Sequence, residues 1–159
     1  MNWPETTLDT IGQLHVMAGV LSGVAVTEVH LDAPFDEVWA FVEDLGHSAA
    51  AIDPLLAEVR VTRRDGTHWK GKVRARYLPL WLPLDIEMNP GLCWMQARGN
   101  LRRFQYVGMA AVPHPDGGTR YGHLEGVDIP GGRSLRWLFR RMIALDVQGI
   151  SRVFGVSGR

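Results

Sequence analysis

The sequence predicts an α+β domain: an antiparallel meander of about seven strands whose oily face is covered by one long C-terminal helix. Three observations lead there. Between residues 57 and 129 a series of alternating segments is punctuated by tight-turn residues, with no helical pattern between them. Short links of that kind join antiparallel neighbours, whereas parallel strands need crossovers. A broad apolar stripe then runs through residues 131–156. The first clear strand, residues 23–31, is followed at once by a helical segment with a large aromatic face.

The elements follow in order. Residues 5–21 carry a weak helical stripe of Leu8, Ile11, Leu14 or His15, and Ala18, with Gly12 and Gly19 lowering helix propensity. Residues 1–22 read as an appendage containing a short helix, ahead of a domain spanning 23–159. In residues 23–31, Val24 and Val26 alternate and Val29 is out of phase, which predicts a bulge. Pro34 suits a first helical turn, and Asp36 and Glu37 complement the helix dipole. Phe35, Val38, Trp39, Phe41, Val42 and Leu45 form a wide apolar face. Residues 47–57 read as a second short helix limited by Pro54.

Strands are expected at 57–64, 68–77, 82–88, 92–98, 102–112 and 119–129. Asp65-Gly66 signals the first hairpin. Trp69, Gly71, Val73, Ala75 and Tyr77 alternate with His68, Lys70, Lys72, Arg74 and Arg76, so one face is oily and the other basic. Leu84, Ile86 and Met88 point inward on the next strand. In the last segment Leu135, Leu138, Phe139, Met142, Ile143, Leu145, Ile150, Val153 and Phe154 make the stripe, with Ser134 as N-cap.

Composition bounds the function. At 159 residues, 46% hydrophobic and 21% charged, the chain suits one globular domain with a single core. Cys93 has no partner for an internal disulfide and sits in the apolar run LCWM, so it reads as a buried structural thiol. A reducing cytoplasm is the default compartment. The start, MNWPETTLD, has no basic or hydrophobic signal region, and glycines and polar residues break the apolar patch at 16–26 below membrane-span length. Residues 1–53 hold nine acids and no Lys or Arg, while the rest is strongly basic. Attraction between the two parts within one fold is the plain reading.

The stretch VTEVHLDAPFDEVWAFVEDLG resembles the opening of the START-like, Bet v 1-like (SRPBCC) superfamily, which includes polyketide cyclases/dehydrases, aromatases and lipid-transfer proteins. The resemblance is carried by Ala33-Pro34, Val38-Trp39 and Asp44, by the later IDP at 52–54, and by the long terminal helix; it covers residues 23–156. It implies a helix-grip fold, in which a curved antiparallel sheet of about seven strands closes around the C-terminal helix, with two short helices after the first strand and an elongated cavity between. It implies binding of a hydrophobic small molecule: lipid, isoprenoid or polyketide-like. The alternatives are a polyketide aromatase/cyclase or dehydratase, and a non-catalytic structural or interaction module with a filled core.

Strand alternation nominates the polar groups of such a cavity. Tyr121, His123 and Glu125 share one face of the last strand. Phe104, Tyr106 and Gly108 are expected to face the same way on its neighbour. A His beside a Glu can hold a poised imidazole, and a Tyr can donate to a carbonyl or enolate oxygen. His123, Glu125 and Tyr106 are therefore the catalytic candidates. Trp39, Tyr77, Trp94, Gln96, Arg98, Phe104, Tyr121, Leu138 and Met142 are the ligand-binding candidates, with Arg98 holding a carboxylate or phosphate near the mouth. In the inverted register these groups face water, and Gly122, Leu124 and Gly126 face inward.

The six histidines show no compact zinc spacing, and nucleophile-elbow, dinucleotide and P-loop patterns are lacking, so no metal or other cofactor is expected. The basic row from Arg60 to Arg76 lacks aromatics on its own face, which argues against nucleic acid. Transient contact with an anionic membrane surface suits it better, and a solvated sheet face is the leading reading. The run from Tyr77 to Met88, interrupted by Pro79 and Pro83, reads as a cavity lip, a membrane-touching tip, a homodimer contact or an ordinary hairpin bend.

Overall fold

The computed structural model describes residues 8–98 and 104–156. The element order is α1 (Thr10–Val20), β1 (Gly23–Leu31), α2 (Phe35–Glu43), α3 (Leu45–Ile52), β2 (Leu56–Asp65), β3 (His68–Ala75), β4 (Trp81–Asn89), β5 (Leu92–Arg98), β6 (Phe104–Pro113), β7 (Thr119–Val127), a 3-10 turn (Gly132–Leu135) and α4 (Arg136–Phe154). All seven strands form one antiparallel sheet in the order β1-β7-β6-β5-β4-β3-β2. Five of its six pairings join strands consecutive in sequence, and the sixth sets β1 beside β7. The sheet is curved and wraps α4, the helix-grip arrangement.

The inner face carries the main core. From α2, Val38, Trp39 and Val42 are buried against it. Phe35 stacks on Trp39 at 6.4 Å, and Phe41 meets Phe154 of α4 edge-on at 5.3 Å. Burying each such side chain contributes roughly 1.5–3 kcal/mol, so this aromatic face is above all a wedge that fixes α2 between sheet and α4. From α4, Phe139, Ile143 and Ile150 are buried. Gly149 brings α4 against the end of α3: a Cβ there would strike the Ile52 carbonyl. That close approach brings the segment after Ile52 near the middle of α4.

The outer face is covered as well. Ile11 and Leu14 of α1 are fully buried against Val24, Ala110 and Leu124, with Trp94 and Tyr106 packed alongside. Gly108 makes the space, since a Cβ there would lie 2.8 Å from Leu14 Cδ2 and 3.1 Å from the Trp94 ring. Between α1 outside and the core inside, Tyr121 to Gly126 of β7 are all buried.

Several boundaries differ from the sequence reading. The second short helix stops at Ile52, and β2 has begun by Leu56. β1 runs in continuous register from Gly23↔Val127 to Leu31↔Thr119, with no bulge; the register shifts fall in β2 instead. Ser134 does not cap α4: it lies in the 3-10 turn, where its hydroxyl donates to the Gly131 carbonyl at 2.9 Å. Among the described residues, no helix is long and apolar enough to cross a membrane.

Candidate functional site

A cavity of about 210 Å³ lies between the inner face of the sheet, α3 and α4. Its wall is mostly aliphatic, with Ile52 and Leu56 on one side, Leu84, Met95 and Met109 from the sheet, and Met142 from α4. Asp53, Gln105, His123 and Glu125 supply the polar part of the wall. Among the described residues no Lys or Arg lines it.

Strand alternation places His123 and Glu125 two residues apart on the inner face of β7. Both are almost fully buried, at 3% and 2% exposure. The Tyr121 hydroxyl lies 3.0 Å from His123 Nδ1. On the other side of the ring, His123 Nε2 lies 3.3 Å from Oδ2 of Asp146, a buried acid on α4. Gln105 donates through Nε2 to Glu125 Oε1 at 3.1 Å. The other carboxyl oxygen, Glu125 Oε2, is buried with no hydrogen-bond partner among the described residues. One imidazole nitrogen of His123 and one oxygen each from Glu125 and Asp146 all lie within 4.8 Å of one another.

The electrostatics follow from burial and like charge. Burial, then the nearby Asp146 and Asp53 carboxylates, push Glu125 up to about 8. Burial, then Asp146, push Asp53 up to about 6. Burial, followed by Asp146, holds the Tyr121 phenol well above its usual value. An apolar pocket with a histidine and convergent carboxyls in its wall can seat a largely apolar molecule and fix its polar end.

The placement of the other nominated residues is mixed. Met142 lines the cavity. Tyr121 is buried beside it and reaches it through His123. Tyr106 does not face His123, which corrects the expected phase. The register pairs Met109 with His123 and Val107 with Glu125, so the odd-numbered residues of β6 share their face. Tyr106 pairs with Gly126 and packs on the outer face, 5.4 Å from the Trp94 ring. Trp94 and Gln96 stand opposite Gly108 and Tyr106 and share that outer face, away from the cavity. Tyr77 falls beyond the end of β3 and is 79% exposed. Leu138 is partly exposed, and Trp39 is buried in the α2 core outside the cavity wall. Arg98 and Phe104 end β5 and β6 as register partners, and their side chains lie outside the described residues.

The sequence reading missed Asp53, Gln105 and Asp146. Asp146 had a signal: it sits with Phe139, Ile143 and Ile150 on the buried side of α4, and an acid in an apolar stripe needs a partner. Asp53 stood inside the IDP stretch that carried part of the resemblance.

No family model matches the chain, and no curated protein matches it. Solved structures do. The Zhui aromatase/cyclase from Streptomyces sp. R1128 superposes with a TM-score of 0.57 over 86% of this chain and 98% of that one, at 12% identity. A START superfamily protein from Mycobacterium smegmatis superposes at 0.56 over 82% and 97%, also at 12% identity. This chain has the START/Bet v 1-like fold. The two-domain aromatase/cyclase StfQ of the steffimycin biosynthetic pathway shows the same fold in one half: the TM-score is 0.65, over 89% of this chain and 52% of that one, at 11% identity. In this chain His123 and Glu125 stand in the wall of the space between sheet and terminal helix, and Asp146 of α4 lies behind His123.

Proposed function

We propose that the chain binds a compact, largely apolar molecule in the cavity between sheet and α4, with the molecule's polar end at His123 and Glu125. The observation that carries this reading is the cavity itself: aliphatic over most of its wall, polar at one convergent patch. Its volume of about 210 Å³ favours a ligand of single-ring size over a long acyl chain, since pockets for larger organic ligands span about 300–1,000 Å³. The likeness to the aromatase/cyclases supports a small-molecule site in this position.

The test is thermal denaturation with a panel of single-ring aromatic acids and ketones beside long-chain fatty acids, together with native mass spectrometry of the gently purified protein. A rise in Tm with the compact compounds is expected. Ala97→Phe, which projects a ring into the cavity from β5, should remove that rise. A flat response across the whole panel, with no co-purified compound, defeats the reading.

A second reading is favoured by the cluster: conversion of the bound molecule, in an aromatase/cyclase or dehydratase type of reaction. A passive carrier has no need of a buried histidine between a phenol and a carboxyl. Recovery of every bound carbonyl compound unchanged after prolonged incubation would remove it.

A further inference from the structure

His123 Nε2 and Asp146 Oδ2 are 3.3 Å apart, and one ring nitrogen of His123 and one oxygen each of Glu125 and Asp146 all lie within 4.8 Å of one another. Four-coordinate zinc has bonds of about 2.0–2.2 Å to nitrogen and oxygen, so adjacent ligand atoms stand about 3.3 Å apart. Both His123 and Glu125 project from β7, a strand covered on both faces, and Asp146 projects from α4, which Gly149 holds tightly against α3. These are rigid supports. The Tyr121 hydroxyl, 3.0 Å from His123 Nδ1, can accept the Nδ1 proton and so fix the ring of a ligating imidazole. With the Nδ1 proton donated to that oxygen, Nε2 presents its lone pair to the cluster.

Two further features fit a cation. Glu125 is 2% exposed and its Oε2 has no hydrogen-bond partner among the described residues. Buried polar atoms are normally satisfied, and an orphan calls for an explanation. One oxygen each of Glu125 and Asp146 also stand within 4.8 Å of each other beside His123, with no Lys or Arg in the cavity wall.

We propose that His123 Nε2, Glu125 Oε2 and a carboxyl oxygen of Asp146 form a binding site for one divalent first-row transition ion, with its remaining coordination positions open to the cavity. The donor set, one imidazole and two carboxyls, suits zinc, manganese or iron better than a hard ion such as calcium. The ion balances the two carboxylates and presents a Lewis acid to the polar end of a ligand. This deepens the reading of the cavity and uses its polar patch. Ion binding is measured without any organic ligand, so either reading can fail alone.

The test begins with chelator-stripped protein dialysed against Zn²⁺, Mn²⁺ or Co²⁺ alone, followed by elemental analysis. One equivalent of at least one ion is expected at micromolar concentration, and the Co²⁺ form should show visible d–d absorption. Glu125→Gln and Asp146→Asn preserve side-chain shape, and each should weaken binding ten-fold or more. The half-buried pair His30 and His114, with ring centroids 4.4 Å apart, is the competing site. The double variant His30→Ala/His114→Ala should leave the stoichiometry unchanged. No ion bound by the wild type at millimolar concentration overturns the proposal, whatever the variants do. So does binding that survives both Glu125→Gln and Asp146→Asn, or X-ray absorption showing two or more imidazoles on the ion.

Discussion

Cys93 shows how burial alone sets reactivity. It is fully buried in β5, and burial pushes its thiol from the ordinary 9.0 up to about 12. The unfolded thiol loses its proton near 9 while the folded one keeps it, so folding is undisturbed below that value. As pH rises above about 9 the unfolded state binds fewer protons than the native state, and stability falls. Iodoacetamide should therefore leave native protein unlabelled at pH 8–9 and label it in urea. Rapid labelling of the native state would show that the strand opens. His123 and Glu125 were legible at this scale because alternation on β7 puts them on one face, although alternation alone left open which face was inward. Tyr106 was misassigned because strand pairing, invisible in the sequence, sets the relative phase of β6 and β7: Met109, not Tyr106 or Gly108, stands beside His123.

Two helix seats decide the elements. α1 was hard to read, since its apolar stripe is weak and Gly12 and Gly19 interrupt it. Its role comes from tertiary packing: Leu14 fits over Gly108 and beside Gly122. Leu14→Ala should cost about 2–5 kcal/mol in urea unfolding. A change below about 0.5 kcal/mol would mean that α1 is not firmly seated. Gly149→Ala forces a Cβ into the Ile52 carbonyl. It should destabilise by about 1–3 kcal/mol, since overpacking of this kind moves backbone. It should also weaken ligand or ion binding, because α4 would shift with Asp146. Normal stability and normal binding together would refute the tight α3–α4 seat. The 3-10 turn before α4 escaped sequence reasoning because Ser134 offers the same hydroxyl to a helix cap and to a turn.

For the whole molecule, the order of elements was readable from turn residues and periodicity, and the resemblance at residues 26–46 added the grip of sheet on helix. The cavity's size was not readable, since it depends on sheet curvature and side-chain rotamers. The unequal charge of the two chain parts resolves partly inside the fold: Arg120 pairs with Asp9 at 3.3 Å and Glu28 at 2.9 Å. These pairs are substantially exposed, so Arg120→Ala should cost about 1 kcal/mol or less, with the difference shrinking in high salt. A larger, salt-independent loss would mean that the contact is a packing one. Part of the remaining positive charge gathers around Trp81, where Arg60, Lys72 and Arg74 lie 4.7, 5.0 and 5.5 Å from the ring, so the basic row does carry an aromatic, contrary to the sequence reading. Tyr77, Leu78 and Leu80 are exposed beyond it.

The strand that carries His123 and Glu125 has neighbours on both edges and a helix on either side. Its amides have no shallow route to deuterium and should exchange last, at a rate set by global opening. Damage elsewhere can fray the ends of the chain while the pocket stays armed. Once β7 lets go, the histidine and its acids scatter together, so no half-assembled pocket should accumulate on the way to the denatured chain.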